Sequence, residues 1–246
     1  MKAVILAGGS GTRLHPLTLV TNKHLLPIYD KPVIYYAIEK LVDAGIDKIM
    51  IVTSPHQIDA FVRLLGSGQH FVPTTMTTAR QIQIVYGIQN EPNGIAYGLH
   101  IARDYIGDDD CVLFLGDNII LDDIAPAIKK FKKGATVFLK KVSDPKRFGI
   151  AEVNKRGKIL SLEEKPNKPK SNLAVVGLYI YDNSVFKKIR KVQKSDRGEY
   201  EITSVNSMYL EEGRLHSHML RKEWFDIGTI DSLHEATQFM KKRTKK

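Results

Sequence analysis

The sequence is poor in cysteine and has no long hydrophobic run. Cys111 is the only cysteine among 246 residues, which excludes an internal disulfide framework and is typical of proteins from reducing compartments. No apolar stretch approaches the ~20 residues that a membrane-spanning helix needs. The N-terminal stretch MKAVILAGG reaches Gly8 too early for the core of a signal peptide, so a strand explains it better. We therefore expect a soluble, cytoplasmic protein without a membrane partner.

Acidic residues are also scarce relative to basic ones. Lys and Arg number 37 against 27 Asp and Glu, which gives a net charge of +10. Such an excess can serve a nucleic-acid surface, a pocket for small polyanions, or solubility alone. The basic residues are spread among acidic ones without an aromatic–basic RNA-binding motif, and residues 241–246 (KKRTKK) resemble a solvated tail. Nucleic acid is therefore not the expected partner.

The pattern of apolar residues predicts an α/β fold. With 43% hydrophobic residues, the chain can fill one core, so we expect a single domain spanning residues 1–246. Continuous apolar runs predict buried parallel strands at Lys2–Ala7, Lys48–Thr53 and Cys111–Leu115. Apolar residues that recur every three or four positions predict helices between these strands, at Val33–Ala44, Ile58–Leu65 and Ile95–Tyr105. This alternation is typical of a doubly wound sheet, which binds ligands beyond the carboxyl ends of its strands.

The second half of the chain has a less regular pattern. It predicts strands at Ala135–Val142, Ile150–Val153, Lys158–Leu162 and Leu173–Tyr181, and helices at Glu201–Glu212 and Ser232–Lys242. We expect a mixed sheet with a parallel centre, to which antiparallel strands add one wall of a pocket.

The segment LAGGSGTRLHPLT, residues 6–18, follows the first strand. Gly8, Gly9 and Gly11 allow a sharp turn whose N–H groups can bind an anion, although a plain tight turn has the same pattern. The segment is neither a Walker A loop nor a GxGxxG fingerprint. Arg13 adds a guanidinium suited to phosphate beside the loop. Lys23, in TNKHLLPI, could by itself be an ordinary surface residue.

Charged residues also lie at three other transitions from apolar to polar sequence. Asp117 follows the strand CVLFLG directly, and Asp226 lies in WFDIGT before a helix. Both could be turn residues, because Asp before Asn or Gly is common in turns. The pair Glu164-Lys165 could be an ordinary charged strand end.

Together these segments resemble the sugar-nucleotide pyrophosphorylases, and most closely the glucose-1-phosphate thymidylyltransferases. The similarity starts in AGGSGTRLHPLT and NKHLLPIYDKPVIYYAI and continues, in the family's order, through LGDNI, FGIAEVN, EEKPNKPKSN, VVGLYIYD, RGEYEIT and FDIGT. It implies a Rossmann-like α/β fold with a mixed, centrally parallel sheet, helices on both faces and a sugar-binding β insertion. The nucleotide-binding part would cover about residues 1–120 and the sugar-binding part about 121–230.

The resemblance also implies a role for each matching residue. Arg13 would hold the β- and γ-phosphates of the nucleotide and Lys23 would lie beside the reacting phosphates; with Asp117 and Lys165 they would form the catalytic set. The nucleotide would be bound by Gly8, Gly9, Gly11, Arg13, Lys23, Gln89 and Gly94. The sugar phosphate would be bound by Gly149, Glu164, Lys165, Val175, Gly177 and Glu199. Mg²⁺ would bind to Asp117 and Asp226, since it prefers oxygen ligands.

The implied reaction joins dTTP to α-D-glucose 1-phosphate and releases pyrophosphate. Because a phosphate monoester is already ionised at neutral pH, no general base is needed, and none of the eight histidines receives a catalytic role. The open alternatives are UTP or another hexose 1-phosphate, a non-catalytic homologue, and a nucleic-acid binder.

The chain departs from the family pattern at a few places. His24 occupies a position that is often Gln, and Ile227 one that is usually Thr. The chain also resembles the family's short form, because long members continue past the last helix with residues for subunit contacts and an allosteric site. The sequence therefore leaves open both a homo-oligomer and feedback inhibition through such a second site.

Overall fold

The computed structural model describes residues 1–69, 71 and 81–244. Its strands are β1 Lys2–Leu6, β2 Pro27–Ile28, β3 Lys31–Pro32, β4 Lys48–Thr53, β5 Gln83–Ile88, β6 Cys111–Leu115, β7 Asn118–Ile120, β8 Ala135–Lys141, β9 Gly149–Val153, β10 Ile159–Glu164, β11 Leu173–Tyr181, β12 Leu215–Met219 and β13 Trp224–Asp226. Its helices are α1 Val33–Asp43, α2 Ile58–Leu65, α3 Ile95–Ile101, α4 Arg103–Ile106, α5 Ala125–Lys130, α6 Val185–Ile189, α7 Ile202–Glu211 and α8 Ile230–Thr244.

One large sheet organises the described part of the chain. Its main path runs β10-β9-β11-β6-β1-β4-β5, and β8 pairs with β11 and carries β12 on its other side. The pairs β6-β1, β1-β4 and β4-β5 are parallel, whereas β11 runs antiparallel to β6, β8 and β9. The predicted α/β class, with a mixed sheet that is parallel at its centre, is therefore confirmed.

Helices cover both faces of this sheet because the central strands are apolar on both sides. Along β1, Ala3 and Ile5 pack against α1 and α2, while Val4 packs with α3, α6 and α7 on the opposite face. Cys111, at the start of β6, is buried as a free thiol. In the described residues, no helix is long and apolar enough to cross a membrane.

Several elements differ from the sequence-based expectations. β5 was not predicted, and neither were the short strands β7, β12 and β13. The helix expected at Ile95–Tyr105 is divided into α3 and α4, with Ala102 between them. The added strands are not all antiparallel, because β12 runs parallel to β8. The missed strands depend on pairing between distant segments.

The order of the strands positions the candidate site. β1, β4 and β6 are parallel neighbours, so the segments that follow Leu6, Thr53 and Leu115 leave the same edge of the sheet. β7 starts two residues after β6 and pairs antiparallel with β13 beside that edge.

Candidate functional site

Two adjoining cavities lie at the carboxyl edge of the central strands. The loop cavity, of about 260 Å³, is lined by Gly8, Gly9, Lys23, His24, Gln89, Gly94 and Asp117 among others. The sheet cavity, of about 540 Å³, is lined by Arg13, Arg147, Gly149, Glu164, Lys165, Val175, Gly177, Arg197 and Asp226 among others. Ile95, Leu115 and Glu199 line both. The fold therefore gathers the predicted site residues, Gly11 excepted, into one connected region.

Gly9 and Gly11 shape the loop after β1 in different ways. A Cβ on Gly9 would come within 3.1 Å of Cε of Lys23, so a larger residue there would crowd the end of this lysine side chain. Gly11 has a φ of +65°, in the left-handed region that favours glycine, and its carbonyl accepts a 2.8 Å hydrogen bond from Thr18. Gly11 lines neither cavity and acts on the shape of the loop.

Lys23 and Asp117 form an ion pair at the floor of the loop cavity. Lys23 begins a short 3₁₀ turn, and Asp117 lies just beyond β6. Their side chains are each only 14% exposed. Burial by itself raises the pKa of Asp117, but the charge of Lys23 and the hydrogen bonds from Lys23 and Asn118 outweigh it and hold the pKa below its usual range. Asp117 is therefore ionised at neutral pH.

Asp226 is brought beside Asp117 by the pairing of β13 with β7. Asp226 lies opposite Asn118, and the N–H of Ile227 donates a 2.9 Å hydrogen bond to the carbonyl of Asp117. Burial, and next the negative charge of Asp117, raises the pKa of Asp226 to about 6. In the described residues, no cluster of three or more His, Cys, Asp or Glu side chains could hold a metal ion. A cation here would need ligands from substrates or water besides these two carboxylates.

Two arginines lie close to Asp226. Nη2 of Arg147 is 3.8 Å from Oδ2 of Asp226. Arg13 approaches from the first loop, since a Cβ on Gly228 would come within 2.9 Å of Nη2 of Arg13. Both charges lower the pKa of Asp226, although burial prevails. Arg147 was missed by the sequence analysis, and its position just before FGIAEVN is the signal that could have identified it.

The start of the β10–β11 connection forms one wall of the sheet cavity. Thr203, on α7, donates a hydrogen bond to Oε2 of Glu164, and a Cβ on Gly149 would come within 3.2 Å of that oxygen. Lys165 has a φ of +42°, and its N–H donates a 3.1 Å hydrogen bond to the carbonyl of Phe148. The backbone thus holds Lys165 at the cavity in a conformation that is uncommon for a non-glycine residue.

Arg197 is a second cation that the sequence analysis missed. It contacts Glu164 at 3.4 Å, Glu199 at 3.2 Å and Glu201 at 3.5 Å. The arginine belongs to RGEYEIT, a segment already noted for its resemblance, but nothing local indicates that it meets Glu164. The carboxylates of the sheet cavity are consequently already paired.

Gly94 and Gly177 allow close approaches at the two cavities. Gly94 has a φ of +97°, and a Cβ there would come within 2.7 Å of the carbonyl oxygen of Tyr200. A Cβ on Gly177 would come within 2.7 Å of the Asn118 side chain, whose Oδ1 accepts a 3.0 Å hydrogen bond from the Gly177 N–H. Gln89 is fixed by a 2.8 Å bond from its N–H to Thr53, and its Oε1 lies 3.8 Å from a Cβ built on Gly8.

His24 lies beside the Lys23–Asp117 pair and is 2% exposed. Burial, and next the charge of Lys23, lowers its pKa to about 3, so the imidazole is neutral at neutral pH. A Cβ on Gly116 would come within 2.9 Å of its Cδ2, which places the ring against the end of β6.

The region as a whole combines cations with two adjacent carboxylates. Arg13, Lys23, Arg147 and Lys165 come from four segments of the chain and line the two cavities. Cations so placed suit phosphate groups, and carboxylate oxygens suit a hard divalent cation.

Known proteins are similar to this chain over almost its whole length, including the segments that line the two cavities. The family model described as nucleotidyl transferase matches residues 2–243. A glucose-1-phosphate thymidylyltransferase of Mycolicibacterium smegmatis is 45% identical over 98% of this chain and 82% of its own length. The enzyme of that name from Neisseria meningitidis is 44% identical over the same shares.

Solved structures share the fold. A structure described as a glucose-1-phosphate thymidylyltransferase from Bacillus anthracis, in complex with a sucrose, has a TM-score of 0.89 at 44% identity over 97% of this chain and 94% of that chain. A UDP-glucose pyrophosphorylase with bound UDP-glucose has a TM-score of 0.84, with coverage of 98% of each chain. At 24% identity it is similar in fold alone. The resemblance inferred from the motifs is thus confirmed, and this chain belongs to the nucleotidyl transferase family of enzymes.

Proposed function

We propose that the chain joins dTTP to α-D-glucose 1-phosphate, forming dTDP-glucose and pyrophosphate. The observation that carries this proposal is the meeting of the loop and sheet cavities at the adjacent Asp117 and Asp226. Two cavities that share a charged boundary suit a reaction between two phosphorylated molecules. The identity of 44–45% to glucose-1-phosphate thymidylyltransferases supports the choice of substrates.

In this proposal the nucleotide binds in the loop cavity. Gly8 and Gly9 let its phosphates approach the backbone, while Gly11 sets the path of the loop. Gln89 and Gly94 lie beside the nucleobase. The Gln89 amide can donate and accept hydrogen bonds along a thymine edge. Lys23 lies beside the phosphates. The resemblance implies that Arg13 holds the β- and γ-phosphates. Because Arg13 lines the sheet cavity near Asp226, we assign it to the boundary between the loop cavity and the sheet cavity.

The sugar phosphate binds in the sheet cavity. Lys165 contacts the phosphate as a compact point charge, and Glu164 accepts from the sugar hydroxyls. Gly149, Val175, Gly177 and Glu199 complete the walls. Because Arg197 already pairs with Glu164 and Glu199, sugar hydroxyls would join this network instead of meeting free carboxylates.

Asp117 and Asp226 are the residues that would hold Mg²⁺. The fit rests on the geometry and chemistry of the donors: two carboxylates lie on neighbouring backbone segments, and the pKa of Asp226 is raised by burial and next by the charge of Asp117. A bound cation reduces the repulsion between two such carboxylates. When bound, Mg²⁺ supplies positive charge that polarises a phosphoryl oxygen and usually keeps phosphates and waters as its other ligands.

The residues of the chain act mainly by alignment and charge neutralisation. A phosphate oxygen of glucose 1-phosphate attacks the α-phosphorus of dTTP, and the bond to the pyrophosphate oxygen breaks on the opposite side. Lys165 aims the attacking phosphate. Lys23 and Arg13 stabilise the charge that gathers on pyrophosphate. No proton transfer to the protein is required.

A pyrophosphate-release panel tests the proposal. It crosses dTTP, UTP, CTP, ATP and GTP with glucose, galactose, mannose and glucosamine 1-phosphates. We expect the highest kcat/KM for dTTP with glucose 1-phosphate. Faster turnover of UTP or another hexose would correct the substrates, and no release from any pair, together with salt-sensitive nucleic-acid binding, would overturn the proposal. A cytoplasmic location and a homo-oligomer stay predictions. Light scattering, which measures the mass of the particle in solution, tests the second.

A further inference from the structure

Each of the two carboxylates at the boundary of the cavities has a cation beside it, but the two pairs differ. Lys23 and Asp117 form a close pair in which each side chain is 14% exposed. Arg147 and Asp226 form a pair at 3.8 Å, in which the arginine is 39% exposed and the carboxylate 22%. The second pair is therefore longer and closer to water than the first.

This difference decides which cation can leave its carboxylate. Separating Lys23 from Asp117 would leave a buried charge without its partner, which is costly. Separating Arg147 from Asp226 costs little, because a long pair near water gains little from its contact. Arg13 also acts on Asp226, but more weakly than Arg147 does. Of the cations around the two carboxylates, Arg147 is the one that a competing cation can replace.

The guanidinium of Arg147 also has a second contact that does not depend on the carboxylate. Arg147 ends the 3₁₀ turn Pro145–Arg147, and its guanidinium carbon lies over the ring of Phe148, 5.5 Å from the ring centre. That ring packs edge-on against Trp224, at 5.3 Å between centres. Trp224 lies two residues before Asp226 on β13, so both side chains point to the same face. Arg147 therefore keeps a support beside the site when it leaves Asp226.

We propose that Arg147 is a displaceable counter-ion that competes with the divalent cation for Asp226 and thereby lowers the affinity of the metal site for free Mg²⁺. The proposal rests on the proposed function, which assigns the metal to Asp117 and Asp226, and it adds a residue that sets how tightly the metal binds. Since the free cation has to displace Arg147 without help, Mg²⁺ binds mainly together with phosphates, which supply its other ligands.

The test measures Mn²⁺ binding to the protein without nucleotide at pH 8, by electron paramagnetic resonance of the free ion. Arg147→Met removes the charge at similar length. We expect it to bind Mn²⁺ about tenfold more tightly than wild type, the effect of removing one positive charge from beside a divalent ion near water. Competition with Mg²⁺ should give the same ratio. An unchanged dissociation constant in Arg147→Met would overturn the proposal.

Two further variants separate competition from a general effect of charge or folding. Arg147→Lys keeps a positive charge at the position and should stay closer to the wild-type dissociation constant than Arg147→Met does. Lys146→Met makes the same change in net charge at the exposed neighbouring residue and should bind Mn²⁺ as wild type does. If Lys146→Met tightened binding as much as Arg147→Met, the effect would belong to net charge and the proposal would be wrong.

Nitrogen-15 NMR of arginine-labelled wild-type protein gives a readout that does not depend on turnover. The Nε–H resonance of Arg147 is identified by its absence from the spectrum of Arg147→Lys. We expect Mg²⁺ without nucleotide, at a concentration that occupies the site, to shift this resonance and speed its exchange with water. A resonance that bound Mg²⁺ leaves unchanged would contradict this inference alone. A wild-type protein that binds no divalent cation, with dTTP or without it, would overturn the metal site of the proposed function as well.

Discussion

The loop cavity and the sheet cavity differ in how their charged side chains are paired. In the loop cavity, Lys23 and Asp117 form an ion pair in which each side chain is 14% exposed. In the sheet cavity, Arg197 is 39% exposed and is shared by three carboxylates. Breaking a buried pair leaves an uncompensated charge, whereas exposed pairs contribute little. The fold thus holds the charged pair of the loop cavity rigidly, whereas the charged side chains of the sheet cavity are closer to water and freer to exchange partners.

Asp226 lies at the boundary between the two cavities. It belongs neither to a close buried ion pair nor to the group of carboxylates around Arg197. It has a like charge as its neighbour, and its ion pair with Arg147 is long, at 3.8 Å. Folding therefore places two carboxylates side by side where the cavities meet. We interpret this as local instability that a bound cation would relieve.

The largest expected effect is on turnover at this boundary. Asp226→Asn should lower kcat by about 10³-fold, roughly 4 kcal/mol, because it removes a ligand needed for charge stabilisation in the transition state. Steady-state pyrophosphate release at saturating Mg²⁺ measures it. Asp231→Asn, on the exposed first turn of α8, is the matched control and should keep the wild-type rate. A wild-type rate in Asp226→Asn would remove this residue from the metal site.

A smaller effect should separate the stabilities of the two cavities. Lys23→Met should lower the free energy of unfolding by about 3 kcal/mol, because it strands the buried Asp117 carboxylate. Arg197→Met should lower it by about 1 kcal/mol or less, since its pairs are closer to water. Urea unfolding at pH 7 measures both. If the two variants lost the same free energy of unfolding, the difference in pairing between the cavities would not affect stability.

The smallest effect is a pH dependence of stability in the metal-free protein. The folded pKa of Asp226 is about 6 against 3.8 for the unfolded group, so the folded state binds more protons between these values. The free energy of unfolding of the wild type should fall as pH rises from 4 to 6. Asp226→Asn lacks this loss, so at pH 8 it should be more stable than wild type by at most about 3 kcal/mol, less what solvent screens at this partly exposed group, and nearly equal to it near pH 3.

Urea unfolding in chelator across this pH range measures the difference between the two proteins. Asp231→Asn again serves as the control and should follow the wild type at every pH. A wild type more stable than Asp226→Asn at pH 8 would mean that Asp226 does not experience the repulsion described here.

Sequence patterns predicted most of the elements that frame the site. β4, β6 and α2 have the expected bounds, because continuous apolar runs and helical spacing are local signals. β5 was missed, since Gly87 interrupts its short apolar run and its two end residues are exposed. Motif resemblance selected residues that do line the cavities, but it missed Arg147 and Arg197. Their importance arises from carboxylates in other segments.

The sequence by itself determined that a glycine loop follows a buried first strand, that charged residues follow later strands, and that the chain has the motifs of its family. These features depend on neighbouring residues, whose periodicity and turn preferences can be recognised locally. Only the tertiary structure decided that Asp226 meets Asp117 across β7 and β13, and that Arg197 joins three carboxylates. Contacts between distant segments depend on strand pairing and burial, which leave no mark in the spacing of residues along the chain.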